Sequence, residues 1–196
     1  KSGDSFLGLD GKGKIFLCRL QRNDQEWSGR IIKVMEERGE SNLKVILGQA
    51  LLKKNKFEFV IQKATELGVT EIVPLITERT EVRLDDFKIE KRMKRWNKVL
   101  MESVKQTGRT SIPELSFPVP LKKFLTTRSA AVEFFLDENQ GMPLVKLISG
   151  NQCASSCLTV VGPEGGWAEQ DLRIFDEHRL IPVHIGPRIL RSETTP

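Results

Sequence analysis

Three short stretches carry residue types suited to binding a ligand and acting on it. GPEGGW, residues 162–167, joins an apolar run, SCLTVV, to a helix-like run, AEQDLRIFDEHRL. Gly162, Gly165 and Gly166 permit close approach of backbone to a ligand, Pro163 stiffens the loop, and Glu164 is its one ionisable side chain. LITERT, residues 75–80, offers Leu75, Thr77 and Arg79 at the end of another apolar run, VTEIVPLI. GPRILRSETT, residues 186–195, follows the run IPVHI and offers Ile185, Gly186, Ile189 and Leu190 beside Arg191 and Glu193. In an open α/β sheet ligands sit beyond the carboxyl ends of the strands, so these three loops are expected to meet there. A helix starting after Trp167 would turn its free N–H groups toward an acceptor. On spacing alone GPEGGW reads equally as a glycine turn between strand and helix, and Glu193 equally as a cap for a following helix.

A fourth stretch, ESVKQTGRTSIPEL, sets Glu102, Gln106 and Arg109 at i, i+4 and i+7, one helix face and its exit. An acid, an amide and a guanidinium there suit a base edge or a phosphate. They equally suit a solvated helix end, with Arg109 meeting the last carbonyls.

Other chemistries find little support. GxxxxGK[ST], GxSxG and HExxH do not occur, and GKGKIF, residues 11–16, lacks the third glycine of a dinucleotide loop. Two histidines and three cysteines, Cys153 and Cys157 among them in CxxxC spacing, complete no zinc site, so no metal is expected. Unpaired thiols fit a reducing, cytoplasmic location. No apolar run approaches the roughly 20 residues that cross a bilayer, so no membrane association is expected.

Charge is distributed unevenly. The chain of 196 residues carries net +5, divided as +2 over residues 1–48, +7 over 49–128 and −4 over 129–196. A basic middle suggests a surface facing a polyanion, with many lysines also solvating helix faces.

The elements that must position these residues follow from periodicity. Residues 1–48 read as two or three short strands with a turn at Asp10-Gly11 and a polar turn after the second, too few to bury a core alone. The segment begins in mid-fold, which implies residues before Lys1. NLKVILGQALL reads as a strand buried on both faces. Phe57, Val60, Ile61, Ala64 and Leu67 then mark one helix face, stopped at Gly68, and VTEIVPLI is another buried strand. Strand, helix and strand make a βαβ unit and predict a parallel sheet. KIEKRMKRWNKVLMESVKQTG is a second helix, with Trp96, Val99, Leu100 and Val104 as its apolar stripe and Lys91, Arg92, Lys94, Arg95, Lys98 and Lys105 on its other faces. AAVEFFL, CLTVVG and IPVHIG complete the strands, with a short helix near MPLVKLIS and an amphipathic one after GPEGGW.

Taken in order, KFEFVIQKATELGVTEIVPLITERTEV, RWNKVLMESVKQTGRTSIPEL, VGPEGGW and HIGPRILRSETT resemble the 16S ribosomal RNA uridine N3-methyltransferases of the SPOUT, or α/β-knot, class. The resemblance implies a PUA-like β-barrel over residues 1–48 that helps hold RNA, followed over 49–196 by a SPOUT α/β domain with a C-terminal trefoil knot. It implies S-adenosylmethionine as cofactor, 16S rRNA in the 30S subunit as substrate, and a homodimer. Cofactor contacts would fall on Leu75, Thr77, Gly162, Pro163, Glu164, Gly165, Gly166, Ile185, Gly186, Ile189 and Leu190. Chemistry and uridine placement would fall on Arg191, Glu193 and Arg79, and phosphate contacts on Arg95, Lys98, Gln106 and Arg109. The family pattern continues as E-T-A and a further helix, where this chain reads ETTP. A knotted methylase acting on transfer RNA or a ribose 2′-hydroxyl, and a non-catalytic RNA-binding protein, are the competing readings.

Overall fold

The structure, a computed structural model, describes residues 1–35, 39–81, 86–138 and 140–196. The polar turn expected after the second strand falls on residues 36–38, outside the described residues. The chain divides into two compact units, Lys1–Ser41 with Val104–Ile112, and Asn42–Ser103 with Pro113–Pro196.

In the smaller unit β1 (Ser5–Leu9), β2 (Ile15–Asn23) and β3 (Glu26–Met35) form an antiparallel meander. Asp10 makes the turn before β2, its Oδ1 accepting the N–H groups of Lys12 at 2.8 Å and Lys14 at 3.0 Å. Every residue of β3 is exposed, as expected of three strands without a second layer. This unit is anchored on Glu40, whose carboxylate accepts the Arg109 guanidinium at 3.0 Å and the amides of Thr110 at 2.9 Å and Ser111 at 3.0 Å.

The larger unit holds β4 (Lys44–Ala50), α1 (Lys56–Glu66), β5 (Glu71–Ile76), most of α2 (Asp86–Thr107), β6 (Glu114–Leu115), β7 (Val119–Pro120), α3 (Leu121–Thr127), β8 (Val132–Leu136), β9 (Met142–Pro143), α4 (Leu144–Gly150), β10 (Ser156–Val161), α5 (Glu169–Glu177) and β11 (Ile181–His184). Its sheet runs β6-β5-β4-β10-β8-β11-β9, with β7 also on β5, and every pairing is parallel. The predicted βαβ unit is β4-α1-β5. The continuous apolar runs are buried as such strands require: Ile46, Leu47, Ile72, Val73, Leu158 and Val160 are at most 2% exposed. Phe124 of α3 and Phe175 of α5 close one core cluster, where Phe175 stacks on Phe135 at 4.2 Å between ring centroids.

The helix stripes fall largely where periodicity puts them. Phe57, Val60, Ile61 and Ala64 are buried, and Trp96 and Leu100 of α2 are as well. Leu67 is not; it is 77% exposed, because α1 ends at Glu66 and Leu67 is its C-terminal cap. Arg109 lies just beyond the end of α2, at the helix exit. Gly141, at φ +111°, is sterically forced: a Cβ there would stand 2.3 Å from the Pro182 carbonyl oxygen. Only glycine fits a left-handed backbone pressed that closely against β11.

Candidate functional site

All the strands of the parallel sheet end on one edge, and the loops leaving β5, β8, β10 and β11 enclose a cavity of about 250 Å³ beyond it. From the β10 loop come Gly162, Pro163, Gly165, Gly166 and Trp167. From the segment after β11 come Ile185, Gly186, Ile189 and Leu190, with Pro187, Arg188, Ser192 and Thr195. The loop after β5 contributes Arg79. The three loops singled out in the sequence therefore share one cavity.

Local chemistry fixes each wall. A turn closes the β10 loop, with the Gly166 amide donating to the Pro163 carbonyl at 3.0 Å. A Cβ on Gly162 would lie 3.2 Å from the Trp167 ring, so the indole packs flat against bare backbone there. Trp167 Nε1 donates to the Leu136 carbonyl at 2.7 Å, and its ring meets Phe175 edge-on at 4.8 Å. These contacts hold an aromatic wall in place. Arg79 Nη1 donates to the Gly165 carbonyl at 2.9 Å, and Asp171 accepts the amides of Ala168 at 3.1 Å and Glu78 at 3.4 Å, so α5 is capped and the 77–80 loop held by one carboxylate. After β11, the Arg191 carbonyl accepts the Thr194 amide at 2.7 Å, the Thr195 amide at 3.2 Å and the Thr195 hydroxyl at 2.8 Å. That turn leaves the Arg191 side chain exposed between the lining residues Leu190 and Ser192.

Several expected positions lie outside the lining. Leu75 is fully buried in the core, and its carbonyl accepts the Leu51 amide at 3.0 Å. Thr77 closes a turn with Thr80, whose hydroxyl accepts the Thr77 amide at 3.0 Å. What the β5 loop brings to the cavity is Arg79. Glu164 and Glu193 turn instead to the ammonium of Lys56, at 3.2 Å and 3.3 Å. Hydrogen bonding to Glu164 above all, then to Glu193, holds the Lys56 ammonium above its ordinary range. Burial pushes the Glu164 carboxyl up, but its own amide, Lys56 and the Lys53 amide outweigh that and hold it below the usual carboxylate value.

Of the expected phosphate contacts, Lys98 is exposed, with Glu102 at 3.9 Å, and Gln106 is exposed. Arg95 is exposed but pairs with Glu58 at 2.7 Å. Arg109 is buried against Glu40, so a carboxylate stands where a phosphate was expected.

Other residues at the site were not singled out in the sequence. Asp137, Glu138 and Gln140 form an acidic rim after β8, and Leu172, His184 and Arg188 complete the wall. The rim had a signal, the polar sequence DENQG directly after the apolar residues FFL. Gln49 had another, an amide inside an apolar strand; fully buried, it donates to the Ala50 carbonyl at 3.2 Å and the Gly162 carbonyl at 3.5 Å. Among the described residues no group of three His, Cys, Asp or Glu side chains could hold a metal ion.

The lining is backbone, one indole, aliphatic side chains, the acids Asp137 and Glu138, and the cations Arg79 and Arg188 with His184, and it holds no lysine and no GxxxxGK[ST] phosphate cradle. Such a donor set fits an adenosyl group and a cationic sulfonium better than a polyphosphate.

Comparison with known proteins agrees. The chain is 32% identical to a Bacillus subtilis protein named ribosomal RNA small subunit methyltransferase E, over 99% of this chain and 78% of that one. It superposes on a methyltransferase of Legionella pneumophila solved with bound SAM, with a TM-score of 0.89, 33% identity, and coverage of 99% of this chain and 79% of that one. A Neisseria gonorrhoeae ribosomal RNA small subunit methyltransferase E bound to S-adenosyl methionine gives a TM-score of 0.88 at 28% identity, over the same shares. The family described as the RNA methyltransferase domain matches residues 39–196, and the chain belongs to that family.

Proposed function

We propose that this protein transfers a methyl group from S-adenosylmethionine to N3 of a uridine in 16S ribosomal RNA. The observation that carries the reading is the meeting of the Gly162–Trp167 loop, the Ile185–Leu190 segment and Arg79 around one cavity at the carboxyl edge of a parallel sheet, in a chain whose relatives are named as small-subunit ribosomal RNA methyltransferases. When bound, the cofactor supplies an electrophilic methyl group on sulfur.

The chain's own residues do the rest. The backbone of Gly162, Gly165, Gly166 and Gly186, with Ile185, Ile189 and Leu190, grips the adenosyl part, and Trp167 excludes water from one side. Asp137 and Glu138 supply negative charge at the rim that favours a cationic ligand. The uridine N3–H lies on the pairing edge, so the base must be unpaired or flipped out to reach the cavity. As N3 gives up its proton to solvent, charge develops on O2 and O4, and the Arg191 guanidinium, exposed beside the lining residues Leu190 and Ser192, stabilises it in this reading. Holding nucleophile and methyl in line supplies much of the remaining acceleration. Glu193, paired with Lys56, serves order in the 187–195 segment before it serves proton transfer.

The finer architecture belongs to the same reading: a PUA-like barrel completed around β1–β3, a trefoil knot through the segment after β11, a homodimer, and a cytoplasmic location where ribosomes are. The exposed apolar side chains of Val145 and Ile148, three residues apart on α4, support a covering second copy. No described helix is long and apolar enough to cross a membrane.

Methyl transfer to 30S particles by the Arg191→Ala protein tests the assignment. Loss of transfer by about a hundredfold or more, with S-adenosylmethionine still bound, is the expected result for a group that stabilises developing charge. Undiminished transfer removes Arg191 from the chemistry.

A further inference from the structure

Lys56 is the first residue of α1, and electrostatically the position is wrong for it. A helix N-terminus carries positive partial charge and favours acids in its first turn. Asn55, which caps α1, makes no side-chain hydrogen bond to it, and the acid of the first turn, Glu58, is paired with Arg95 at 2.7 Å. The ammonium is accommodated by two carboxylates arriving from distant parts of the chain: Glu164 Oε1 at 3.2 Å, from the β10 loop, and Glu193 Oε2 at 3.3 Å, from the segment after β11. Glu164 Oε1 also accepts the Lys53 amide at 3.4 Å, so the stretch before α1 grips the loop twice.

Glu193 Oε2 is sealed from solvent, and a carboxylate oxygen out of water needs a counter-charge. Lys56 is the cation that stands beside it. Neither glutamate lines the cavity, yet their neighbours Pro163 and Gly165, and Ser192 and Thr195, do. The ion triad therefore lies behind two walls of the cavity and joins them.

We propose that Lys56 is a positioning residue for methyl transfer, its ammonium strapping the 162–167 loop to the 187–195 segment so that both walls of the cofactor cavity stand in their binding geometry. The proposal rests on the reading of that cavity as an S-adenosylmethionine site. It gives Glu164 a role the sequence left open: the loop's acid faces away from the ligand and moors the loop. Without the ammonium, two carboxylates gathered around one point repel each other, and the 187–195 segment loses its attachment to α1. Arg191 rides on that segment, so cofactor binding and the placement of Arg191 depend on the same strap.

The test uses the whole chain with Lys56→Met, which keeps length and removes charge, and Lys56→Arg, which restores it. Calorimetry with S-adenosylmethionine should show Lys56→Met binding about five- to tenfold more weakly, the range expected when partly exposed ion pairs hold a loop. Lys56→Arg should return to within about threefold of the parent by restoring the charge. In a double-mutant cycle, Glu193→Gln should cost little more in the Lys56→Met background than Lys56→Met alone, because one interaction is being removed twice. Amide exchange in the ligand-free protein gives an arm independent of the cofactor: residues 187–195 should exchange faster in Lys56→Met while the amides of β4 and β10 keep the parent's protection. Binding by Lys56→Met within twofold of the parent, additive losses in the cycle, no rescue by arginine, or uniform loss of protection would each overturn the strap. Absence of S-adenosylmethionine binding by the parent would instead sink the reading of the cavity, and the exchange arm would still decide whether the strap exists.

Discussion

Arg79 Nη1 lies 2.9 Å from the carbonyl oxygen of Gly165, so the loop after β5 and the loop after β10 share a hydrogen bond at the mouth of the cavity. The contact is exposed, which limits its strength, but it joins two of the three loops that line the cavity. Replacing Arg79 by methionine should weaken S-adenosylmethionine binding by roughly 1 kcal/mol, about fivefold, through loss of one charge-assisted hydrogen bond partly screened by water. Isothermal calorimetry checks this, and unchanged affinity would show that the β10 loop keeps its shape unaided.

Trp167 offers a prediction about shape. Trp167→Phe leaves the Leu136 carbonyl without its indole donor and should cost about 1–2 kcal/mol in urea unfolding. Gly162→Ala, whose added Cβ would stand 3.2 Å from that ring, should push the indole outward and lower cofactor affinity more than stability. The two variants therefore separate packing from binding, and equal effects on both measurements would contradict that separation.

The Arg109–Glu40 pair predicts a stability effect where an RNA effect was expected. Both side chains are nearly buried, 7% and 13% exposed, so Arg109→Ala strands a carboxylate and should destabilise the protein by about 3 kcal/mol. Loss of RNA affinity in that variant should track unfolding and vanish under conditions where it is folded.

Acid sensitivity follows from the same carboxylate. Burial pushes Glu40 up, yet the Arg109 guanidinium and the amides of Ser111 and Thr110 outweigh it and hold the group below its ordinary value of 4.5. A depressed native value means the ionised form is the one that stabilises the fold. That contribution is complete above about pH 4.5 and is lost as pH falls through the lower native value. Glu40→Gln should flatten the pH dependence of the denaturation midpoint in this acidic range, and an unaltered slope would place the acid sensitivity elsewhere.

Lys98 makes the contrasting case. It is 76% exposed and stands 3.9 Å from Glu102, so its ammonium is available to a phosphate. Lys98→Ala should weaken binding to ribosomal RNA severalfold, without changing unfolding, and should reduce the slope of log affinity against log salt by about one. A variant with the parent's salt slope would remove Lys98 from the contact surface.

Periodicity made the scaffold legible, and chain separation hid the wiring. The β4-α1-β5 unit could be read because Phe57, Val60, Ile61 and Ala64 repeat at helical spacing between two continuous apolar runs, and burial enforces that pattern. The three loops could be placed because a parallel sheet puts its strand ends on one edge. α3 was missed, since LKKFLTT is too short to show a period, although Leu121, Phe124 and Leu125 are buried. Leu67 continues the apolar stripe in sequence, and a stripe does not announce the residue at which its helix stops. The ion contacts of Lys56 and Arg109 had no local signal at all. Each joins residues far apart in sequence, and only the folded chain reveals that Glu164 and Glu193 face an ammonium while Arg109 faces Glu40.

Gly141 separates two kinds of freedom at the cavity. Its backbone is pressed against the Pro182 carbonyl in a conformation closed to other residues, so the path of the chain past the β8 loop tolerates no substitution there. Glu138 and Gln140, just before it, line the cavity without any such backbone restraint, whereas Asp137 Oδ1 accepts the Gln140 amide at 3.3 Å and so shapes the turn. In a library spanning residues 137–141, selection for folding alone should hold position 141 to glycine, favour an acceptor side chain at position 137 and let position 138 vary. Selection for methyl transfer should then restore negative charge at the rim, so that one loop records structural and chemical demands at separate positions.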